Sequence, residues 1–125
     1  MTHAINWFEI PVTDMDRAQR FYETLTGTRL KREPFGGPGN EMCVFDRDGA
    51  DAIKGALFKA PMMQPSEAGS VVYLNAAPAI DAWIGRVDAA GGKVLIPKVT
   101  LPDGMGYFAH IQDSEGNRVG LHALA

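Results

Sequence analysis

The stretch INWFEIPVTDMDRAQRFYETLTG, residues 5–27, changes its hydrophobic period halfway along, and that change decides the fold. From Ile5 to Val12 the residues are largely aromatic or branched. Phe8, Ile10 and Val12 fall on one parity and Trp7, Glu9 and Pro11 on the other, which predicts a half-buried strand. Thr13-Asp14 then offers side-chain oxygens that accept the free N–H groups of a first helical turn. Met15, Ala18, Phe21/Tyr22 and Leu25 follow at three-to-four spacing and predict an amphipathic helix ending at Gly27, where a left-handed backbone closes helices cheaply. Three shorter strand-like runs come next, around Thr28–Glu33, Glu41–Arg47 and Ala52–Lys59, separated by FGGPGN and DRDGAD. The first half therefore reads βαβββ.

The same order restarts after a linker rich in Pro and Met. GSVVYLNA (69–76) alternates as INWFEIPV does. Ile80, Trp83/Ile84 and Val87 make one helical stripe, and Gly91-Gly92 ends it as Gly27 ended the first. Strands are expected near Lys93–Lys98, Met105–Gln112 and Asn117–Leu124. An offset of 64 superposes Trp7 on Val71, Ala18 on Ala82, Gly27 on Gly91 and Leu30 on Val94, whereas Phe21 meets Gly85 and Leu25 meets Ala89. Two copies of so long a period make a paired module, because a solenoid needs at least three repeats. Residues 1–125 are read as one domain: module 1 about 4–60, linker about 61–68 and module 2 about 69–125.

Composition bounds the function. A chain of 125 residues with 46% apolar and 22% charged residues is an ordinary globular domain. Twelve Lys and Arg against fifteen Asp and Glu give a net charge of −3, without the positive excess that a phosphate backbone demands, so no nucleic-acid partner is expected. The longest run free of charged side chains, roughly Ala68 to Ile80, is too short to span a bilayer. With no such span no membrane partner is expected, and the first residues, which lack the basic start and apolar core of an export signal, do not indicate export. The one cysteine, Cys43, allows no internal disulfide, and a cytoplasmic location is the expectation.

Three segments carry a family resemblance: EIPVTDMDRAQRFYETLTG, AWIGRVDAAGGKVLIPK and GYFAHIQDSEGNRVGLHAL. Together they resemble the vicinal oxygen chelate superfamily, which includes glyoxalase I, extradiol dioxygenases, fosfomycin-resistance enzymes and bleomycin-resistance proteins. The resemblance implies an α+β fold of two βαβββ modules forming an incomplete barrel around a concave cavity, but it implies no single reaction. Metal-dependent members take up to four ligands from His, Gln and Glu, on the first and last strands of each module. Carried over by motif, those positions are Trp7, Gly55, Val71 (or Ser70) and Gly120. Indole has no lone pair for a metal and glycine has no side chain, so neither a metal nor a cofactor is expected.

The parity that puts Trp7 and Gly120 in the cavity also puts Glu9, Tyr73, Asn75 and His122 there; His110 either faces inward with Phe108 as a further wall residue or lies exposed at the strand edge. Glu9 and His122 could bind a metal weakly, or hydrogen-bond to each other, to water or to a ligand. Cys43 reads as a small core or cavity residue with no adjoining cation. Trp83 reads as core, whereas Trp7 could stack on a flat ligand. Two functions fit. The first is a metal-independent small-molecule binding protein whose ligand meets Trp7, Glu9, Tyr73, Asn75, Phe108, His110 and His122. The second is a glyoxalase-like lyase or isomerase with Glu9 or His122 as general base. A homodimer is expected, because incomplete barrels leave strand edges and a cavity mouth that a second copy can cover; Met62-Met63 and FGGPGN are the expected contact elements.

Overall fold

The computed structural model describes residues 3–34 and 37–125. Phe35 and Gly36 of the FGGPGN loop, and Met1 and Thr2, lie outside the described residues. Module 1 runs β1 (Trp7–Pro11), α1 (Met15–Thr26), β2 (Lys31–Glu33), β3 (Glu41–Phe45), β4 (Lys54–Lys59). Module 2 runs β5 (Tyr73–Asn75), α2 (Ile80–Ile84), α3 (Val87–Ala90), β6 (Lys93–Thr100), β7 (Tyr107–Gln112), β8 (Arg118–Ala123). Each makes a four-stranded mixed sheet, ordered β1-β4-β3-β2 and β5-β8-β7-β6, in which the first and last strands of the module pair in parallel and the other pairs are antiparallel. The fold is α+β with two modules, and the sheets do not close into a barrel. No helix among the described residues is long and apolar enough to cross a membrane.

Helix α1 forms where its periodicity and caps predict. Asp14, in an extended conformation, accepts the Arg17 N–H, and Gly27 closes the far end at φ 73° while donating to Glu23. Its buried face, Met15, Ala18, Phe21, Tyr22 and Leu25, packs on β3 and β4 and against α2 and α3. Both modules thereby share one core, into which Ile10, Phe45 and Leu57 of module 1 and Trp83, Ile111 and Leu121 of module 2 all project.

Module 2 departs from expectation at its helix. The single predicted stripe is two short helices broken at Gly85-Arg86, where the turn tightens as Arg86 N–H donates to the Trp83 carbonyl at 3.0 Å. Glycine is a poor helix former, and the break aims Arg86 Nε at the Leu25 carbonyl at 3.1 Å, satisfying an acceptor near the end of α1. Strand β6 runs two residues beyond the expected end and carries register shifts on both sides of Ile96, next to Pro97, which has no N–H to pair.

The turn Asp113–Asn117 of module 2 is built into module 1. The Asp113 carboxylate is buried; it accepts the Tyr22 hydroxyl at 2.6 Å and the N–H groups of Glu115 and Asn117 at 2.8 and 2.9 Å. Asn117 Nδ2 donates to the Pro11 carbonyl at 2.8 Å. Glu115 lies at the start of α1, where its carboxylate accepts the N–H groups of Thr13 and Asp14 at 2.9 Å each and Arg17 Nε at 2.6 Å. Burial by itself would raise the Glu115 pKa, but Arg17 and the Asp14 and Thr13 donors outweigh it and bring it down to about 2.

Candidate functional site

Each sheet has one face against the helices and one face open. In sheet 1 the parallel register pairs Phe8 with Gly55 and Glu9 with Ala56. Phe8 packs on core residue Phe45, their centroids 5.6 Å apart, and covers the place where a side chain on Gly55 would lie. Gly55 therefore belongs to the core side, and the residue that shares the open face with Trp7 and Glu9 is Ala56. Motif spacing alone is off by one residue here.

In sheet 2 the open face is set by Tyr73 opposite Gly120 and Gly120 opposite His110. The absence of a side chain at 120 lets the Tyr73 ring lie across β8, where it fills the space a Cβ would need. Its hydroxyl thus reaches His110 Nε2, two strands away, at 2.6 Å. Phe108 completes a cluster of edge-on rings, 6.3 Å from Tyr73 and 5.7 Å from His110. On the far side of the imidazole, Nδ1 lies 3.0 Å from Arg118 Nη1. The His110 pKa lies below its ordinary value, first through burial and then through the Arg118 charge. His122, one alternation further along β8, donates from Nε2 to the Met105 carbonyl at 2.8 Å.

The seven residues expected to share one cavity wall are distributed over several concavities. Tyr73, Asn75, Phe108 and His122 line an open pocket of about 850 Å³ whose remaining wall is mainly apolar, including Leu101, Pro78 and Leu124. Trp7 joins Tyr73 and Asn75 in a second groove of about 940 Å³, whose lining also includes Arg47, Asp48 and Asp51. Glu9 lines neither of these; it lines one concavity with Met42, Val44 and Glu33 and a smaller cleft of about 210 Å³ with Arg118, and its carboxylate accepts the Trp7 indole N–H at 3.2 Å. Glu9 and His122 thus have separate partners and separate pockets. His110 is held between Tyr73 and Arg118.

The positions from which the family takes a metal carry no donor set. Trp7, Ala56, Val71 and Gly120 present an indole, a methyl, an isopropyl and no side chain, and the Tyr73 ring roofs the last of them. No group of three or more His, Cys, Asp or Glu able to hold a metal occurs among the described residues. The side chains at these four positions do not fit a divalent ion.

Cys43 is fully buried, and burial raises its pKa even though Arg32, opposite it in the β2–β3 register, pulls the other way. A cation does therefore adjoin it, contrary to the sequence reading, but cross-strand rather than along the chain. Trp83 is 5% exposed and part of the core, whereas Trp7 is 42% exposed.

The sequence matches the Glyoxalase/Bleomycin resistance protein/Dioxygenase superfamily over residues 4–121. With two βαβββ modules of this register, the chain belongs to that superfamily. It is 30% identical over 121 residues to CFP32 of Mycobacterium tuberculosis, a protein named for a provisional glyoxylase activity; the match takes in 93% of this chain and 44% of that one. The chain thus spans less than half the length of that relative. A glyoxylase-like domain-containing protein of Didymella fabae is 29% identical, with 96% and 91% covered. Among solved structures, glyoxalase I of Zea mays, as its V278E mutant, superposes with a TM-score of 0.72 at 21% identity, over 94% of this chain and 45% of the maize chain.

Proposed function

We propose that the protein is a metal-independent small-molecule binding protein of the glyoxalase/bleomycin-resistance type, with its ligand on the open face of sheet 2. The observation that carries this reading is the replacement at Gly120, where a family metal ligand would project and the Tyr73 ring lies instead. The same substitution furnishes an aromatic floor for a pocket of about 850 Å³ with apolar walls and a few placed polar groups, the usual make-up of a ligand site. Tyr73, Asn75, Phe108 and His122 meet the ligand there, with Trp7 at the neighbouring groove. The test is elemental analysis and native mass spectrometry of protein purified without added metal, followed by a thermal-shift ligand screen with and without chelator. Ligand-induced stabilisation that persists in chelator is expected. One metal equivalent per chain, with stabilisation only in its presence, overturns the reading.

A lyase or isomerase reading has one observation in its favour. The Met105 carbonyl fixes a proton on His122 Nε2, which leaves Nδ1 of the neutral ring as a proton acceptor. A turnover that His122→Gln abolishes while ligand binding persists would select it. A homodimer completes the proposal. Trp7, Tyr73, Met62, Met105 and Leu124 are exposed large apolar side chains, of the kind a second copy can cover. Sedimentation equilibrium at micromolar concentration should return twice the chain mass, and a single monomeric species refutes it.

A further inference from the structure

Arg118 is the one member of the sheet 2 cluster that the sequence reading passed over, and it settles the protons of the others. A guanidinium only donates, so His110 Nδ1 accepts from it and the ring is neutral. The remaining ring proton is therefore on Nε2, and it is donated to the Tyr73 oxygen 2.6 Å away. That leaves the Tyr73 O–H proton with no acceptor among the described residues, on a side chain that lines the same pocket as Phe108. Among the described residues Arg118 enters no ion pair, and its side chain has His110 as its one hydrogen-bond partner. The carboxylate of Glu67, which reaches Gln112 beside it on β7, is engaged by the Gln112 amide at 2.7 Å. A relay of three donors pointing one way, backed by the Arg118 charge, is built to meet an anionic oxygen.

We infer that Tyr73, set by His110 and Arg118, anchors the carboxylate of a small aromatic or apolar acid. The acid's body lies against Phe108, Leu101, Pro78 and Leu124, and one carboxylate oxygen accepts the Tyr73 proton. His110 and Arg118 are positioning residues, since they act through Tyr73: His110 holds its oxygen and Arg118 holds the tautomer. The inference rests on the reading of sheet 2 as a ligand site, and it adds the ligand's charge.

The probes are benzoate and its uncharged isostere benzamide, titrated into the metal-free full chain by ligand-observed NMR. Benzoate should bind at least tenfold more tightly than benzamide. Tyr73→Phe and Arg118→Gln should each abolish that preference while leaving the melting temperature close to that of the unaltered chain, and Arg118→Lys should retain part of it. Nitrogen-15 spectra of the His110 ring should place its proton on Nε2, and Arg118→Gln should disturb that tautomer, which a merely structural arginine would not. Benzoate binding no tighter than benzamide, or a preference that survives Tyr73→Phe, overturns the anion assignment while leaving the site reading in place. Failure of both probes to bind overturns it as well, and the chelator screen above then decides the site reading separately.

Discussion

Both modules lay an aromatic ring over a glycine of the neighbouring parallel strand, yet they do so on opposite sides of their sheets. In module 1 the Phe8 ring covers Gly55 on the helix side and packs on Phe45, so the pair is core. In module 2 the Tyr73 ring covers Gly120 on the open side and reaches His110, so the pair is surface. The hydrophobic ring joined the interior, and the ring with a hydroxyl was placed where that hydroxyl has partners. An ancestral symmetry, if read literally, would make the two glycines equivalent. The pleat, which reverses at every residue, makes them opposites.

The largest effect expected from this contrast is at the tryptophans. Trp83→Ala should cost about 3–5 kcal/mol in denaturant unfolding, because a fully packed indole is removed from the shared core, with little change in ligand affinity for molecules that remain folded. Trp7→Ala should cost under about 1 kcal/mol while weakening ligand binding, and equal stability losses in the two variants would erase the distinction between core and groove. Gly55→Ala and Gly120→Ala come next. The first pushes a methyl into a ring held by Phe45 and should destabilise by about 1–3 kcal/mol. The second meets a ring that is 49% exposed and can swing outward, so it should cost much less stability and instead break the Tyr73–His110 bond and the binding that depends on it.

The contact between modules should show in acid. The Glu115 carboxyl is held at about 2 in the folded protein, below its ordinary value near 4.5, so it contributes stability that is complete above about pH 4.5 and is lost as pH falls toward 2. Allowing for solvent at the Arg17 end of the pair, the contribution is roughly 2 kcal/mol. Glu115→Gln should therefore be less stable to urea at pH 7, and its stability should change less between pH 4.5 and 2.5, than the unaltered chain. Parallel pH profiles would mean that the turn does not hold the modules together. The smallest effect belongs to Asp14→Ala, which removes the side-chain cap of α1 but leaves Glu115 on the same helix end. About 1 kcal/mol is expected, less if Glu115 takes over the freed N–H.

Much of this was legible in the sequence because period and punctuation are local. Alternation fixed β1, three-to-four spacing with Asp14 and Gly27 fixed α1 nearly to the residue, and the repeat of that order announced module 2. The split of the second helix was less so, although the mismatch of Phe21 with Gly85 marks the place. Motif spacing puts Gly55 on the wrong side because it carries no pleat. Arg118 could have been found by parity with Gly120 and His122, but an arginine after a tight turn reads as a solvated charge until its neighbour across the sheet is known. The separation of Glu9 from His122 depends on how the two sheets sit about the shared core, and no periodicity along one strand encodes that.

The plug that Glu115 makes at the start of α1 also has a consequence in time. A ribosome delivers Thr13 and Asp14 about a hundred residues before the carboxylate that receives their N–H groups. Throughout that interval the first helix has only Asp14 to close its leading turn, and Tyr22 has no Asp113 to take its hydroxyl. Completion of the opening element is thus deferred to the closing hairpin, and the nascent first half depends on residues still to be translated.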